Sequence, residues 1–126
     1  MKKIVSTLKA PKAIGPYVQA IESNNMLFIS GQLGLNPITG ILASGIEEQT
    51  KQSLENLKAI LEEAKLNFSN IVKTTIFITN MEDFPKINAI YEKYFNGNFP
   101  ARSTIQVSAL PKGGLIEIEA IATKEI

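Results

Sequence analysis

The chain has 126 residues, of which 44% are hydrophobic and 20% charged, and its formal net charge is +1. This balance is typical of a globular protein and selects neither nucleic acid nor membrane as a partner, and the length predicts a single domain over residues 1–126. The sequence contains no cysteine and no histidine, which excludes disulfides, thiolate nucleophiles and the commonest zinc ligands and leaves acid–base chemistry to carboxylates, Lys, Tyr or water.

The N-terminal third predicts three strands. Residues 2–7 are predicted to form a short strand. The N-terminus has no apolar stretch of signal-peptide length, and no window of the sequence approaches the ~20 apolar residues of a membrane span, so we expect a cytoplasmic protein. After a loop at 11–16, residues 17–21 and 26–30 are apolar-rich and flank a polar cluster of hairpin length, which predicts two paired antiparallel strands. A long connection without regular structure follows, punctuated by Gly31, Gly34, Pro37, Gly40 and Gly45.

The middle of the chain predicts helix, strand and helix. Apolar residues recur at helical spacing over 46–64, with polar residues expected on the other face. The β-branched run 71–79 predicts a largely buried strand, and Asn80 is a candidate cap. A second helix is expected over about 83–95, with Pro85 in its first turn, where a missing N–H costs little.

Two strands, 102–108 and 115–123, complete the order β-β-β-α-β-α-β-β. The crossover from strand 26–30 through the first helix to strand 71–79 is expected to be right-handed. If both helices lie on one face of the sheet, the other face is left open, and strand 71–79 is too apolar for contact with water. We therefore expect a partner subunit to cover that face.

Arg102 and Glu117 are the leading candidates for a functional site. Arg102 opens a strand directly after Phe99-Pro100-Ala101, and Glu117 lies fifteen positions later on what the order suggests is an adjoining strand. A guanidinium there can hold an anionic substrate through two parallel N–H bonds while a carboxylate moves a proton. Taken singly, each residue has a structural interpretation that its position alone favours: a surface arginine paired with a nearby carboxylate, and a glutamate on the solvent-facing side of a half-exposed strand.

Four further positions are weaker candidates. Tyr17 follows Gly15-Pro16, and Ser30-Gly31 is expected to end a strand where the backbone could approach a ligand. Asn88 lies in the middle of the second helix, where asparagine is a mediocre helix former. Each also has a structural interpretation, as a rim aromatic, a strand terminus or a solvent-facing polar residue.

The chain as a whole resembles the RidA family, the reactive intermediate deaminases also called YjgF proteins. The motifs that carry the resemblance run from end to end: Ala13-Ile14-Gly15-Pro16-Tyr17-Val18-Gln19-Ala20, Phe28-Ile29-Ser30-Gly31-Gln32, Asn36-Pro37 with Gly40, Gln52-Ser53-Leu54-Glu55-Asn56-Leu57, Ile71-Val72-Lys73-Thr74-Thr75, Phe99-Pro100-Ala101-Arg102-Ser103, and Leu110-Pro111 with Ile116-Glu117-Ile118-Glu119-Ala120. The resemblance implies an α+β, chorismate-mutase-like fold and a homotrimer whose sheets enclose a central barrel, with three clefts between subunits.

The implied activity is hydrolysis of 2-imino acids, such as 2-iminopropanoate and 2-iminobutanoate, to 2-oxo acids and ammonia, without a metal or organic cofactor. By resemblance, Arg102 anchors the substrate carboxylate and Glu117 orients or deprotonates the attacking water. Tyr17, Ser30, Gly31 and Asn88 are then expected to line the cleft.

Two departures and two alternatives accompany that interpretation. Thr104 stands where many relatives have cysteine, so thiol-dependent properties are not expected, and the segment at 96–98 is shorter than in some relatives. A non-catalytic regulatory protein that binds 2-oxo acids in the same clefts is the alternative from another class. An RNA-cleaving or translation-inhibiting protein is disfavoured by the near-neutral charge, the lack of a basic run and the lack of histidine.

Overall fold

The structure is a computed structural model and describes residues 1–125. Its strands are β1 (Lys3–Val5), β2 (Ala20–Ser23), β3 (Met26–Leu33), β4 (Ile71–Ile78), β5 (Ala101–Gln106) and β6 (Ile116–Thr123), and its helices are α1 (Gly45–Glu63) and α2 (Phe84–Phe95). Short 3₁₀ turns precede β4, α2 and β6. The predicted order of strands and helices is confirmed, with bounds that differ by one to three residues. Within the described chain, neither helix combines the length and apolar character that crossing a membrane requires.

The six strands form one mixed sheet in the order β1-β2-β3-β6-β4-β5. Only β4 and β5 pair in parallel, while β6 lies antiparallel between β3 and β4, so these last two strands run in the same direction. Consequently β5 and β6, although consecutive in sequence, are separated by β4. The expectation that Arg102 and Glu117 lie on adjoining strands is wrong, because the last strand inserts into the middle of the sheet instead of pairing at its edge.

Both helices pack on one face of the sheet. Tyr91 of α2 reaches Thr74 of β4, and Ser53 of α1 reaches the backbone of β3. Most of the large, fully buried side chains between the layers are aliphatic: Leu27, Leu54, Leu57, Ile60, Leu61, Ile76, Ile78, Ile87, Ile116 and Ile118. Their removal from water is the main favourable term in folding.

The face of α1 that the sequence predicts to be polar is in part buried. Thr50, Ser53 and Asn56 are completely inaccessible to solvent. Ser53 Oγ donates to the Gln32 carbonyl oxygen at 2.7 Å, and Asn56 Nδ2 donates to the carbonyl oxygens of Leu33 and Leu35 at 3.1 and 2.9 Å. These side chains satisfy carbonyl groups where β3 leaves the sheet, so they fasten that irregular segment to the helix.

The second strand begins later than predicted, at Ala20 instead of residue 17. Gln19 is buried, and its amide accepts from the Thr7 N–H at 2.7 Å and donates to the carbonyl oxygens of Ala10 and Pro11 at 3.3 and 2.8 Å. The Gln19 side chain therefore supplies hydrogen bonds to backbone groups of the preceding loop.

The turn between β2 and β3 consists of Asn24 and Asn25 alone. Both have positive φ, which is the geometry of a two-residue type I′ turn.

β3 runs on to Leu33 and does not end at Ser30. Its pairing with β6 shifts between Ile29 and Gln32, so Ser30 and Gly31 form a bulge inside the strand. The predicted strand terminus is thus a bend in a continuous strand.

Two asparagines mark the ends of elements around α2. Asn80 acts as the predicted cap, since its side chain accepts from the Glu82 N–H at 3.0 Å, and Asn96 ends α2 in the left-handed conformation.

The face of the sheet away from the helices is open in the chain. Strand registers place Ile4, Phe28 and Ile105 on it, exposed by 59%, 45% and 45%. On β5 this face carries Ser103 and Ile105, while Arg102, Thr104 and Gln106 point to the helix side. The open apolar face is the surface on which we expect a partner subunit.

Candidate active site

Arg102 lies on the helix side of β5, beneath α2. Its Nη1 donates to Asn88 Oδ1 at 2.8 Å, and its Cζ lies 4.9 Å from the ring centroid of Tyr91 and 5.3 Å from that of Phe84. Phe84, Asn88 and Tyr91 follow one another at spacings of four and three and so share one face of α2. One face of α2 thus holds the guanidinium through the rings of Phe84 and Tyr91 and the side-chain amide oxygen of Asn88.

The groups that hold Arg102 are all neutral. Within residues 1–125 the ion pairs are Lys51–Glu48 and Lys124–Glu22, and neither involves the guanidinium. The arginine lines an open depression of about 430 Å³ together with Asn88, Tyr91, Glu92, Phe99 and Pro100. Its charge and its remaining N–H groups are therefore available to an anionic ligand.

Glu117 lies on the opposite, open face of the sheet, because it pairs in register with Phe77, the residue that also pairs with Ile105. Burial raises the pKa of its carboxyl above the ordinary value, and the nearby Glu119 carboxylate raises it further. The side chain packs against the bulge: a Cβ added to Gly31 would lie 2.7 Å from Glu117 Cδ and 2.9 Å from Oε2. Only glycine at this position leaves room for the carboxylate.

Glu117 is part of the wall of a second cavity, of about 270 Å³. Tyr17, Gly31, Lys12 and Lys112 line it with the glutamate, and the Tyr17 hydroxyl accepts from the Ile14 N–H at 3.5 Å. A carboxylate with a raised pKa beside a tyrosine and two lysines can exchange a proton with water or substrate in this cavity.

Ser30 lies in neither cavity. Its Oγ donates to the Val18 carbonyl oxygen at 2.7 Å, so the hydroxyl is occupied in holding the bulge to the preceding loop. It borders a separate depression on the open face with Phe28, Glu119 and Ile121. The six predicted site residues therefore divide into Asn88 with Arg102, Tyr17 and Gly31 with Glu117, and Ser30 on its own.

One chain does not bring the arginine and the glutamate together. Arg102 of β5 pairs in register with Thr74 of β4, which is fully buried on the helix side of the sheet. Glu117 is on the open side, on β6, which lies beyond β4 as seen from β5. Each cluster holds one half of the predicted chemistry, an anion anchor or a proton acceptor. Among residues 1–125, no three His, Cys, Asp or Glu side chains are grouped so that they could hold a metal ion.

Several residues of these clusters escaped the sequence interpretation. Phe84 and Tyr91 are visible in retrospect from their helical spacing to Asn88, a spacing that by itself predicts only a shared helix face. Thr74 and Gln19 have no such signal, because their roles depend on contacts across strands and loops. Thr104 Oγ1, two residues beyond Arg102 on the same strand face, is the one buried side-chain oxygen or nitrogen in the described chain without a hydrogen-bond partner.

Comparison with known proteins gives consistent results. Residues 7–124 match the family described as Endoribonuclease L-PSP. The mouse protein named 2-iminobutanoate/2-iminopropanoate deaminase is 49% identical over 125 residues, covering 98% of this chain and 93% of that protein. The crystal structure of YyfA from Yersinia pestis, of the Rid protein family, is 54% identical with a TM-score of 0.95, covering 98% and 99% of the two chains. The Escherichia coli TdcF structure with bound serine is 45% identical with a TM-score of 0.92, covering 96% and 98%.

Proposed function

This chain belongs to the L-PSP family, whose members include 2-iminobutanoate/2-iminopropanoate deaminases and Rid proteins, and on that basis we propose that it hydrolyses 2-imino acids to 2-oxo acids and ammonia. The observation that carries the proposal is the guanidinium of Arg102, which neutral groups hold and no carboxylate neutralises within residues 1–125. A 2-imino acid supplies the missing carboxylate.

The reaction needs little from the protein beyond positioning. A protonated imine is a strong electrophile, so water adds to its carbon once the substrate is held and the water is placed. Arg102 binds the substrate carboxylate through two N–H groups, and Glu117 accepts a proton from the attacking water. Glu117 then returns that proton to the nitrogen of the tetrahedral intermediate, the C–N bond breaks, and the nitrogen leaves as ammonia. The hydroxyl group that came from water loses its remaining proton to solvent and becomes the 2-oxo group. Tyr17 and Gly31 line the cleft on the Glu117 side and Asn88 on the Arg102 side, while Ser30 supports the bulge, and no cofactor enters the reaction.

The complete site forms between copies of the chain. The two halves of the chemistry lie on opposite faces of one sheet, and the open face exposes Phe28 and Ile105, which favour a neighbour over water. In the homotrimer that we propose, the Arg102 cluster of one subunit meets the Glu117 cluster of the next. The protein works in the cytoplasm as a single domain over residues 1–126, repeated in each subunit.

An endoribonuclease, the activity in the family's description, fits this chain less well. The net charge is +1 and the sequence has no histidine, the commonest general base. An anchor for one small carboxylate also differs from the extended basic surface that a nucleic-acid backbone requires.

Arg102→Ala tests the proposal directly. We expect the variant to lose catalysis of imine hydrolysis, because the truncated side chain cannot orient the substrate, and Arg102→Lys to recover only a small part, since an ammonium does not reproduce the planar pair of N–H groups. The measurement is the release of ammonia and pyruvate from 2-iminopropanoate that an amino acid oxidase generates in the assay.

Lys51→Ala is the matched control, because it removes an exposed cation on α1 that pairs only with Glu48. It should retain full activity. Hydrolysis by Arg102→Ala at the wild-type rate contradicts the assignment. A wild-type protein that binds 2-oxo acids without accelerating hydrolysis supports the regulatory alternative.

A further inference from the structure

Tyr91 connects Arg102 to the interior of the protein. Its ring lies under the guanidinium, at 4.9 Å from centroid to Cζ, and the residue is only 4% exposed. Its hydroxyl oxygen is 2.6 Å from Thr74 Oγ1, and Thr74 is completely buried. Its ring also packs against Phe95, with centroids 4.5 Å apart. Tyr91 is thus held by a hydrogen bond to the sheet and by ring packing within α2. The contacts described for the Arg102 guanidinium, in contrast, all come from α2.

Thr74, the partner of this hydrogen bond, lies next to Arg102 in the sheet. Thr74 on β4 is the direct register partner of Arg102 on β5, so Tyr91 spans from α2 to the strand position beside the arginine. The bond therefore sets the distance between α2 and the sheet at the point where the guanidinium emerges. Burial raises the pKa of the Tyr91 phenol, so its hydroxyl stays protonated at neutral pH and the bond persists.

We propose that Tyr91, held by Thr74, is a positioning residue that sets the tilt and depth of the Arg102 guanidinium and thereby the affinity for the substrate carboxylate. The inference rests on the proposed function for the identity of the ligand, but the geometry of the arginine is independent of it. Asn88 and Phe84 also contact the guanidinium, Asn88 by a hydrogen bond to the Arg102 side chain itself and Phe84 by its ring. Of these three residues of α2, Tyr91 is the one whose hydroxyl bonds to the neighbouring strand β4, so it ties the helix to a part of the sheet other than the arginine.

Arg102 is the only arginine in the sequence, which gives the test a clean reporter. In ¹⁵N NMR its Nε–Hε group yields a single signal whose chemical shift depends on the rings around it. The variants are Tyr91→Phe and Thr74→Val, which each remove one hydroxyl, their double variant, and Thr74→Ser, which keeps the hydroxyl. Tyr94→Phe is the matched control, because Tyr94 is on the same helix and its hydroxyl donates to Glu55 at 2.7 Å, away from Arg102.

We expect Tyr91→Phe and Thr74→Val each to shift the Arg102 signal and to weaken binding of 2-oxobutanoate by about five- to tenfold, the effect of one buried hydrogen bond. KM for 2-iminobutanoate should rise by a similar factor. The double variant should be no worse than either single one, because both remove the same bond. Thr74→Ser and Tyr94→Phe should behave like the wild type.

Two results overturn the proposal: an Arg102 signal and a 2-oxobutanoate affinity in Tyr91→Phe that equal those of the wild type, whatever its melting temperature, or an equal loss in Tyr94→Phe. If the wild type hydrolyses no imino acid, the proposed function fails, and the positioning role is decided by the NMR signal and by binding of 2-oxobutanoate. If the wild type also binds no 2-oxobutanoate, the NMR signal alone decides it, since that measurement needs no ligand.

Discussion

At the residue scale, burial raises the pKa of Glu117, the group to which we assign proton transfer in the proposed reaction. Its pKa is raised first by desolvation and second by the Glu119 carboxylate. We expect kcat to fall as the pH drops through this raised pKa, because only the deprotonated carboxylate accepts a proton from water. The acidic limb of the kcat profile should therefore lie above the ordinary Glu value of about 4.3.

Variants separate the two causes of that shift. Glu119→Gln removes the neighbouring charge, so the limb should move to lower pH, and Glu117→Gln should remove the limb and most of the activity. A limb that stays in place in Glu117→Gln would assign the proton transfer to another group.

Gly31 provides a second prediction at the residue scale. A methyl group at this position meets the end of the flexible Glu117 side chain, with the shortest contact at 2.7 Å to Cδ, so the carboxylate must move while the fold stays intact. We expect Gly31→Ala to lower kcat by about 10²-fold, the cost of a misplaced catalytic group, and to change the free energy of unfolding by less than about 1 kcal/mol. Enzyme kinetics and thermal unfolding of the same samples test this. Full activity would show that Glu117 tolerates displacement.

At the scale of elements, α1 does more than cover the sheet. Asn56 is fully buried, donates to the carbonyl oxygens of Leu33 and Leu35, and accepts from Gln52 Nε2 at 2.9 Å. These bonds hold the chain directly after the bulge that borders the Glu117 cavity. A polar stripe on a core-facing helix surface thus supports the site without touching it.

Asn56→Ala should lower the free energy of unfolding by about 2–4 kcal/mol, because it leaves the buried Leu33 carbonyl and the partly buried Leu35 carbonyl without this hydrogen-bond donor. Chemical denaturation measures the change. Lys58→Ala is the control on the same helix, since Lys58 is exposed, and it should be neutral. An equally small effect of both variants would mean that water replaces the Asn56 amide.

At the scale of the whole molecule, the proposed site is complete only when a second copy of the chain packs on the open face of the sheet. Ile105→Glu places a charge on this face of the edge strand β5, where the isoleucine is 45% exposed in the single chain. We expect native mass spectrometry to show a trimer for the wild type and smaller species for the variant, with loss of activity, because a buried unpaired charge is costly.

Ile38→Glu is the matched control for that experiment. Ile38 is 91% exposed and lies in the loop after β3, off the sheet, so the same charge should leave mass and activity unchanged. A fully active monomer of Ile105→Glu would contradict the shared site.

Local patterns were sufficient to predict the elements and their order. The three-and-four spacing in α1 and α2, the β-branched run of β4 and the alternation in β6 each reflect the periodicity of one element, and turn residues such as Asn80 and Asn96 act within a few positions. Together with the family motifs, these signals also named both charged residues of the site. They predicted wrongly that β3 ends at Ser30 and that β2 begins at residue 17. Beyond the bulge Gln32 pairs with Ile118, and before β2 the Gln19 side chain bonds to the loop, and local periodicity reveals neither contact.

The sequence by itself determined which elements form and which charged side chains are candidates for the site, since both depend on residue type and short-range spacing. Only the tertiary structure decided that β6 inserts between β3 and β4, which puts Arg102 and Glu117 on different faces of one sheet. It also decided that Tyr91 packs against the Arg102 guanidinium and hydrogen-bonds to Thr74, the register partner of Arg102. The physical reason is that strand pairing and helix docking join residues far apart in the chain, where burial and hydrogen bonding across the whole fold select the partner.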